Sequence, residues 1–515
     1  MSDEDIFKKP TTIEETKLGE EFIRKLVLKS VAKFEPIVMD LADMTGLNTS
    51  IIEPFLRKFE DDYWLTFEGD SPMWQRLRCV LTSKGREAAK EILAVDNYTG
   101  IAPVSYPMYK QVMSGITDER YPLHISKEDT EKTFEGVVGS EKAKKILTMA
   151  ASVGRGVIVY GPPGNGKTFI TSKMAMLLPP IILPRCIEYS GKVIEVYDED
   201  FHQPLPADEQ PEDPRWIKIY APFVFTGAEL STKKLETTYN PERGAYIVPP
   251  QVKAHGGIFL VDDLGRQQEP HNVILNRLIV PMENKKDVIY IAGIPVEVFT
   301  DFLPVFSTNV SIAIFDEAHL RRAPFHIYMG PPTVTEFVEL MKEQLERFGL
   351  AFDEDSLDPL KASYSPREEG GLGFQPCYAT PRDLAQIIYG LSKYHEKEKV
   401  DSNLMEEAMA HYVVYALQRE KVPLAQIGTS LTEEITTVEL SVEGDIESIN
   451  NVLKAHDGVK NFVSAQDRVI VDLSEGNTIT DIVEKIETKT GAKINNLKVI
   501  GKTSQPIVDE SKLEL

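Results

Sequence analysis

Residues 155–170 read RGVIVYGPPGNGKTFI. An apolar run, GVIVY, enters Gly161-Pro162-Pro163-Gly164-Asn165-Gly166-Lys167-Thr168, and an apolar helical pattern follows. This is G-x-x-x-x-G-K-[ST] set between a strand and a helix, the context the pattern requires. Glycines in such a loop let backbone N–H groups point inward at phosphate oxygens, and the following helix adds the positive end of its dipole. The spacing places Pro163, Gly164, Asn165, Gly166, Lys167, Thr168 and Phe169 around a nucleotide. Lys167 neutralises the β- and γ-phosphates, and the Thr168 hydroxyl ligates Mg²⁺.

A second stretch, GGIFLVDDLGR at 256–266, is an apolar run that ends in two adjacent carboxylates, Asp262 and Asp263. Such runs belong inside a sheet, where charges do not. The pairing makes sense if this strand lies next to the P-loop strand and delivers acid to Mg²⁺ at the carboxyl edge of the sheet. Asp262 is then the metal partner, directly or one contact removed, and Asp263 polarises the attacking water.

The chain has 515 residues, enough for about three or four domains. It is 42% hydrophobic and 27% charged, an ordinary globular composition. No apolar run reaches the roughly 18 residues of a membrane span. The start, MSDEDIFKKP, is acidic and lacks an apolar signal segment, so a cytoplasmic location is expected. Cys79, Cys186 and Cys377 lie far apart and form neither a disulfide framework nor a metal-site spacing. The net charge of −23 works against general nucleic-acid binding, which needs clustered Lys and Arg. It favours protein partners.

Composition divides the rest. Residues 1–95 read as helix, turn at Gly46, helix capped by Asn48 or Thr49, two strands and a helix, an order that resembles a winged helix-turn-helix domain. Residues 96–130 read as an ordered linker. From 131 to 332 strands alternate with helices, the signature of a parallel α/β sheet, and 333–425 read as a helical lid. Residues 430–503 read βαββαβ, the order of a ferredoxin-like fold, with 504–515 as a tail. This last domain resembles the small domain appended to some ABC-transporter ATPase subunits.

The interval from about 134 to 425 resembles an AAA+ ATPase module, a P-loop NTPase sheet with a helical lid. FEGVVGSEKAKKIL resembles the segment that flanks adenine, which implies contacts from Val138 and Gly139. VFSTN at 305–309 resembles sensor 1, with Asn309 near the γ-phosphate. FDEAHLRRAPF at 315–325 resembles the stretch carrying the arginine finger, Arg321 or Arg322. ATPRDL at 379–384 resembles sensor 2, with Arg382 reaching the γ-phosphate from the lid. The resemblance implies ATP and Mg²⁺ as cofactors. An arginine finger acts across a subunit boundary, so it also implies a homo-oligomer, by family a hexameric ring.

One departure stands out. AAA+ modules usually carry Glu where this chain has Asp263, a side chain shorter by about an ångström, and catalytic geometry is sensitive on that scale. The shorter arm leaves room for slow hydrolysis, although Asp can polarise water too. HNVILNRLIVPMEN followed by KDVIYIAG-IPVEVFTD resembles the presensor-1 β-hairpin of one AAA+ superclade, whose members thread or remodel polymers. Residues 186–250 read as an insertion, in which Tyr246 is a candidate pore-loop aromatic.

The N-terminal wing gathers Arg76, Arg78, Lys84 and Arg86, with Arg76 and Arg78 as candidate nucleic-acid contacts. The helix before it mixes Arg57 and Lys58 with Glu53, Glu60, Asp61 and Asp62, and phosphate contacts need a basic face. The leading expectation is an oligomeric ATPase that remodels a protein or protein assembly. The alternatives are a DNA-directed motor or regulator and a slow nucleotide-dependent switch or scaffold.

Overall fold

The computed structural model describes residues 6–506 apart from 119, 310–311, 313–314, 368–369, 413, 416–417, 419–431, 457–458, 466–467 and 474–478. The chain divides between Gly330 and Pro331 into two compact units.

The first unit is organised by five strands: β1 Val157–Tyr160, β2 Phe223–Thr226, β3 Ile258–Val261, β4 Leu303–Thr308 and β5 Phe325–Tyr328. They lie side by side in the order β5-β1-β4-β3-β2, all parallel. Both faces of the central strands β1, β3 and β4 are covered, so these are buried nearly throughout rather than alternating, whereas the edge strands β2 and β5 expose Phe225 and Tyr328. Val157 and Val159 pack on one face with Ala143 and Leu147 of helix Glu141–Val153 and Ile170 and Met174 of helix Lys167–Met174. Ile158, Phe259 and Phe306 pack on the other with Ile274, Leu275 and Leu278 of helix His271–Asn284.

This order corrects one expectation. The acid-tipped strand β3 does not adjoin the P-loop strand β1, because β4 runs between them. Tip residues are legible in a sequence, whereas strand order depends on where each crossover returns. A second expectation changes too: the segment 186–250 is not wholly an insertion, since β2 lies within it and forms the edge of the main sheet. Four further strands of the segment join Val104–Ser105 in a separate sheet ordered Thr238–Asn240, Ala245–Ile247, Lys192–Glu195, Cys186–Tyr189, Val104–Ser105, while Trp216–Ile219 pairs with Ile181–Pro184.

The stretch 96–130, read as a linker, contains helix Tyr106–Asp118. Its Tyr109, Val112 and Met113 share a core with Ile187 and Ile194 of the second sheet and with Ile289, Ile291, Val296 and Val298 of a β-hairpin. That hairpin, Lys286–Ile291 against Ile294–Phe299, turns at Ala292 and Gly293, where φ is 50° and 82°. It buries one face and exposes Val288 and Tyr290 on the other. The Tyr109 hydroxyl accepts from the Phe299 N–H (2.9 Å), and the Tyr106 hydroxyl donates to the Glu297 carbonyl (2.9 Å).

N-terminal to this, helices Glu20–Phe34, Val38–Thr45 and Thr49–Asp61 precede the strand pair Leu65–Glu68 and Arg78–Leu81 and the helix Ser83–Val95. Gly46 ends the second helix in the left-handed region (φ 67°), and the Asn48 side chain accepts from Ser50 N–H to start the third. Cys186, Val193 and Ala245 of the second sheet complete this helical core. Trp216 meets Phe7 edge to face at 5.5 Å, and the buried Arg215, paired with the buried Asp213 (2.8 Å), donates to the Thr16 carbonyl.

In the second unit, helices Val334–Arg347, Asp358–Tyr364, Thr380–Tyr394 and Ser402–His411 bury Phe337, Met341, Leu384, Ile388, Leu404 and Met405. Beyond them an antiparallel sheet is ordered Val459–Ala465, Arg468–Leu473, Thr432–Glu443, Lys493–Pro506. Helices Ile446–Lys454 and Ile479–Thr490 connect its strands. Residues 507–515 of the expected tail lie outside the described residues. No helix among the described residues is long and apolar enough to cross a membrane.

Candidate nucleotide-binding site

Four separate segments meet at the carboxyl end of the main sheet. The loop after β1 runs through Gly161, Gly164 and Gly166 at φ 137°, 77° and 74°, a left-handed sequence that turns successive backbone N–H groups toward one side. Gly161 is obligatory for a second reason: a Cβ there would lie 2.3 Å from the Met329 carbonyl oxygen. Asn165 is buried beside that same carbonyl, to which its Nδ2 donates at 3.5 Å. Pro163, Gly164 and Phe169 are exposed, and Lys173 lies over the Phe169 ring. Val138 and Gly139 sit half-buried in the bend before helix Glu141–Val153.

Helix Lys167–Met174 begins at the end of this loop and touches β4. Its first residues therefore reach across the intervening strand. Thr168 Oγ1 donates to Asp262 Oδ2 at 2.6 Å. Lys167 Nζ donates to the Gly161 carbonyl (2.8 Å), the Pro162 carbonyl (2.9 Å) and Asn309 Oδ1 (2.6 Å). Asn309 stands at the end of β4 and passes the link on, its Nδ2 donating to Asp263 Oδ1 at 2.5 Å. The five residues expected to form the chemical centre, Lys167, Thr168, Asp262, Asp263 and Asn309, are thus joined by direct hydrogen bonds.

The arginines are placed differently. Arg321 and Arg322 lie on helix Glu317–Arg322. Arg321 is 75% exposed and pairs with Glu317 of its own helix (2.5 Å). Arg322 is 18% exposed; it donates to the Ala318 carbonyl and pairs with Glu283 on helix His271–Asn284 (2.7 Å). Arg382 lies in the second unit on helix Thr380–Tyr394, where its guanidinium donates to Asp383 Oδ1 (2.9 and 3.1 Å). Tyr246 is in a strand rather than a loop, half-buried with its ring 4.9 Å from Tyr239. Arg76 and Arg78 are exposed on the wing, and Arg78 stands opposite Glu68 across the strand pair.

The sequence reading missed Gln267 and Thr308. Gln267 is buried and donates to the carbonyls of Asp262 (3.1 Å) and Gly227 (3.2 Å). The Thr308 hydroxyl donates to the Leu264 carbonyl (2.9 Å). Gln267 stands at no motif position, whereas Thr308 lies within VFSTN at 305–309, where Asn309 alone is singled out.

The donor set fits a magnesium nucleoside triphosphate. Inward N–H groups and a lysine suit phosphate oxygens, and one hydroxyl with one carboxylate is the small protein share that Mg²⁺ takes when phosphates supply the rest. Fold and site define a P-loop NTPase. A family model described as magnesium chelatase, subunit ChlI, matches residues 133–211. The uncharacterized protein YifB of Salmonella typhimurium is 29% identical over 129 residues, 25% of this chain and 22% of the relative. Competence protein ComM of Haemophilus influenzae is 36% identical over 67 residues, 13% of each. The matches therefore span about a fifth or less of those relatives' lengths. Among solved structures, the Thermotoga maritima RuvB Holliday junction branch migration motor is 13% identical at a TM-score of 0.31, covering 55% of this chain and 69% of that one. NtrX from Brucella abortus in complex with ATP is 14% identical at 0.35, covering 66% and 67%. The strand order and the P-loop geometry thus give the chain a parallel-sheet nucleotide-binding fold, whose donor set fits ATP with Mg²⁺ and which is similar over residues 133–211 to the magnesium chelatase family model.

Proposed function

We propose that this chain hydrolyses ATP at the interfaces of a self-assembled hexameric ring and uses the cycle to remodel a protein or protein assembly. The observation that carries the reading is the hydrogen-bonded set Lys167–Asn309–Asp263 with Thr168–Asp262, held by two strand ends and one helix start. Bound Mg²⁺ supplies charge neutralisation between the phosphates. Lys167 grips the terminal phosphates, Asp263 orients water for in-line attack, and Asn309 fixes the two relative to each other.

Within that set the one cation is Lys167, whereas developing charge on the transferred phosphoryl calls for a second. Arg321 is the better finger: it projects from the surface and its Glu317 partner is equally exposed, a pairing of little strength. Arg322 is engaged to Glu283 within its own subunit. A finger supplied by a neighbouring copy makes assembly a condition of turnover. Arg382 of the lid is the further γ-phosphate contact in this reading, with Val138 and Gly139 against adenine.

A protein substrate is favoured over DNA by charge. Arg57 on the helix before the wing is occupied by Glu53 and Glu60 and lies over Trp74. The test is steady-state hydrolysis alongside light scattering, with and without ATP and Mg²⁺. Turnover that rises with assembly supports the proposal; a monomer that turns nothing over removes it.

A further inference from the structure

The carboxylate at position 263 is one methylene short of the Glu usual in its class, yet it reaches Asn309 Nδ2 at 2.5 Å. The backbone explains how. Asp263 has φ 49°, in the left-handed region that Asp and Asn enter several times more readily than other side chains. Around it the chain is pinned at every step. Asp263 N–H donates to Asp262 Oδ1 (2.9 Å), and Leu264 is held to the end of β4 by its N–H to the Ser307 carbonyl (2.9 Å) and by the Thr308 hydroxyl. Arg266 N–H closes the turn onto the Asp263 carbonyl (2.9 Å). Gln267 then bridges the whole feature. Its Oε1 accepts from Gly265 N–H (2.9 Å), and its Nε2 donates to Asp262 and to Gly227 at the end of β2.

We propose that the turn, not side-chain length, aims this carboxylate: position 263 carries Asp because its backbone is left-handed, and Gln267 is the positioning residue that holds the turn. The inference rests on the hydrolytic reading above. A Glu at 263 would have to adopt the same backbone with a longer arm, carrying its oxygens past Asn309. Truncating Gln267 would free Gly265 and leave the Asp262 carbonyl unclamped, while every group proposed to touch nucleotide stays in place. The loss should therefore fall on turnover and spare affinity.

Three measurements on the full chain test this: nucleotide affinity, single-turnover hydrolysis of ATP with Mg²⁺, and melting temperature. Asp263→Glu and Gln267→Ala are each expected to hydrolyse about tenfold or more slower, with affinity within about twofold of the natural chain. Asp263→Gly is expected to melt above Asp263→Ala, because only glycine enters the left-handed region without penalty. An Asp263→Glu chain as fast as the natural one overturns the inference. So does a Gln267→Ala chain that keeps its rate, or that loses nucleotide binding along with it. Asp263→Ala melting as high as Asp263→Gly also overturns it, without reference to turnover. A natural chain that binds ATP and hydrolyses none instead removes the proposed function, and the melting comparison still decides the backbone argument.

Discussion

The two ends of the main sheet both carry charge, and they use it differently. At the carboxyl end Lys167, Thr168, Asp262, Asp263 and Asn309 converge from segments as much as 142 residues apart, and Thr168, Asp262, Asp263 and Asn309 stay partly exposed. At the amino end His255, Arg120 and Asp301 are buried. His255 Nδ1 accepts from the Asp301 N–H (3.0 Å), Arg120 donates to the Gly256 carbonyl, and Lys285 pairs with Asp301 (3.4 Å). Burial, with Arg120 and Lys285 adding like charge, pushes the His255 imidazole from its ordinary 6.5 down to about 3. Polarity alone therefore does not mark a site. Accessible groups beside a loop of inward N–H donors can meet a ligand, whereas sealed ones fasten segments together.

The sharpest test of that contrast is Lys167→Ala, expected to lower turnover by about 10³-fold or more and to weaken nucleotide binding, while thermal stability stays near that of the natural chain. Next is Arg321→Ala, expected to cost about 10²–10³-fold in turnover with affinity unchanged; Arg322→Ala should hydrolyse far closer to the natural rate. Equal rates for the two variants would break the finger assignment.

The amino end should answer in stability instead. Below about pH 6.5 the unfolded chain takes up a proton that folded His255 refuses, so stability falls by about 1.4 kcal/mol per pH unit as pH drops toward 4. Asp301, whose carboxyl burial pushes upward, works in the opposite sense. His255→Asn keeps an acceptor for the Asp301 N–H and is expected to flatten the imidazole's share of this slope in melts across that range, at constant nucleotide affinity. The smallest effect belongs to the wing. Arg76→Glu with Arg78→Glu is expected to change stability by no more than about 0.5 kcal/mol and to leave ATP turnover unchanged whether or not duplex DNA is added. A DNA-stimulated rate that this double variant abolishes would favour the nucleic-acid motor.

What could be read in advance followed from locality. The P-loop is one contiguous pattern whose glycines have a physical task, and the acidic tip of β3 contradicts its own apolar run. Both were visible as such. The hairpin at Gly293 was visible for the same reason, since two alternating runs flank a turn residue. Strand order was not, because nothing in VIVY or IFLV says that β4 comes between them. β2 was hidden inside WIKIYAPFVF, where it reads as one more strand of the insertion. Gln267 was invisible, since its partners are main-chain groups and such contacts leave no signature in residue type. The left-handed backbone of Asp263 was half visible: the unusual Asp was noticed, but only the fold supplies its cause.

The shared cores set a practical boundary on how this protein can be cut. A chain shortened to begin near residue 131 would keep every group of the nucleotide site. It would also strip Tyr109, Val112 and Met113 from the hairpin, and the N-terminal helices from Cys186, Val193 and Ala245. The greasy underside laid bare would drive aggregation, so the nucleotide-binding sheet cannot be excised from its N-terminal partner and remain well behaved in solution.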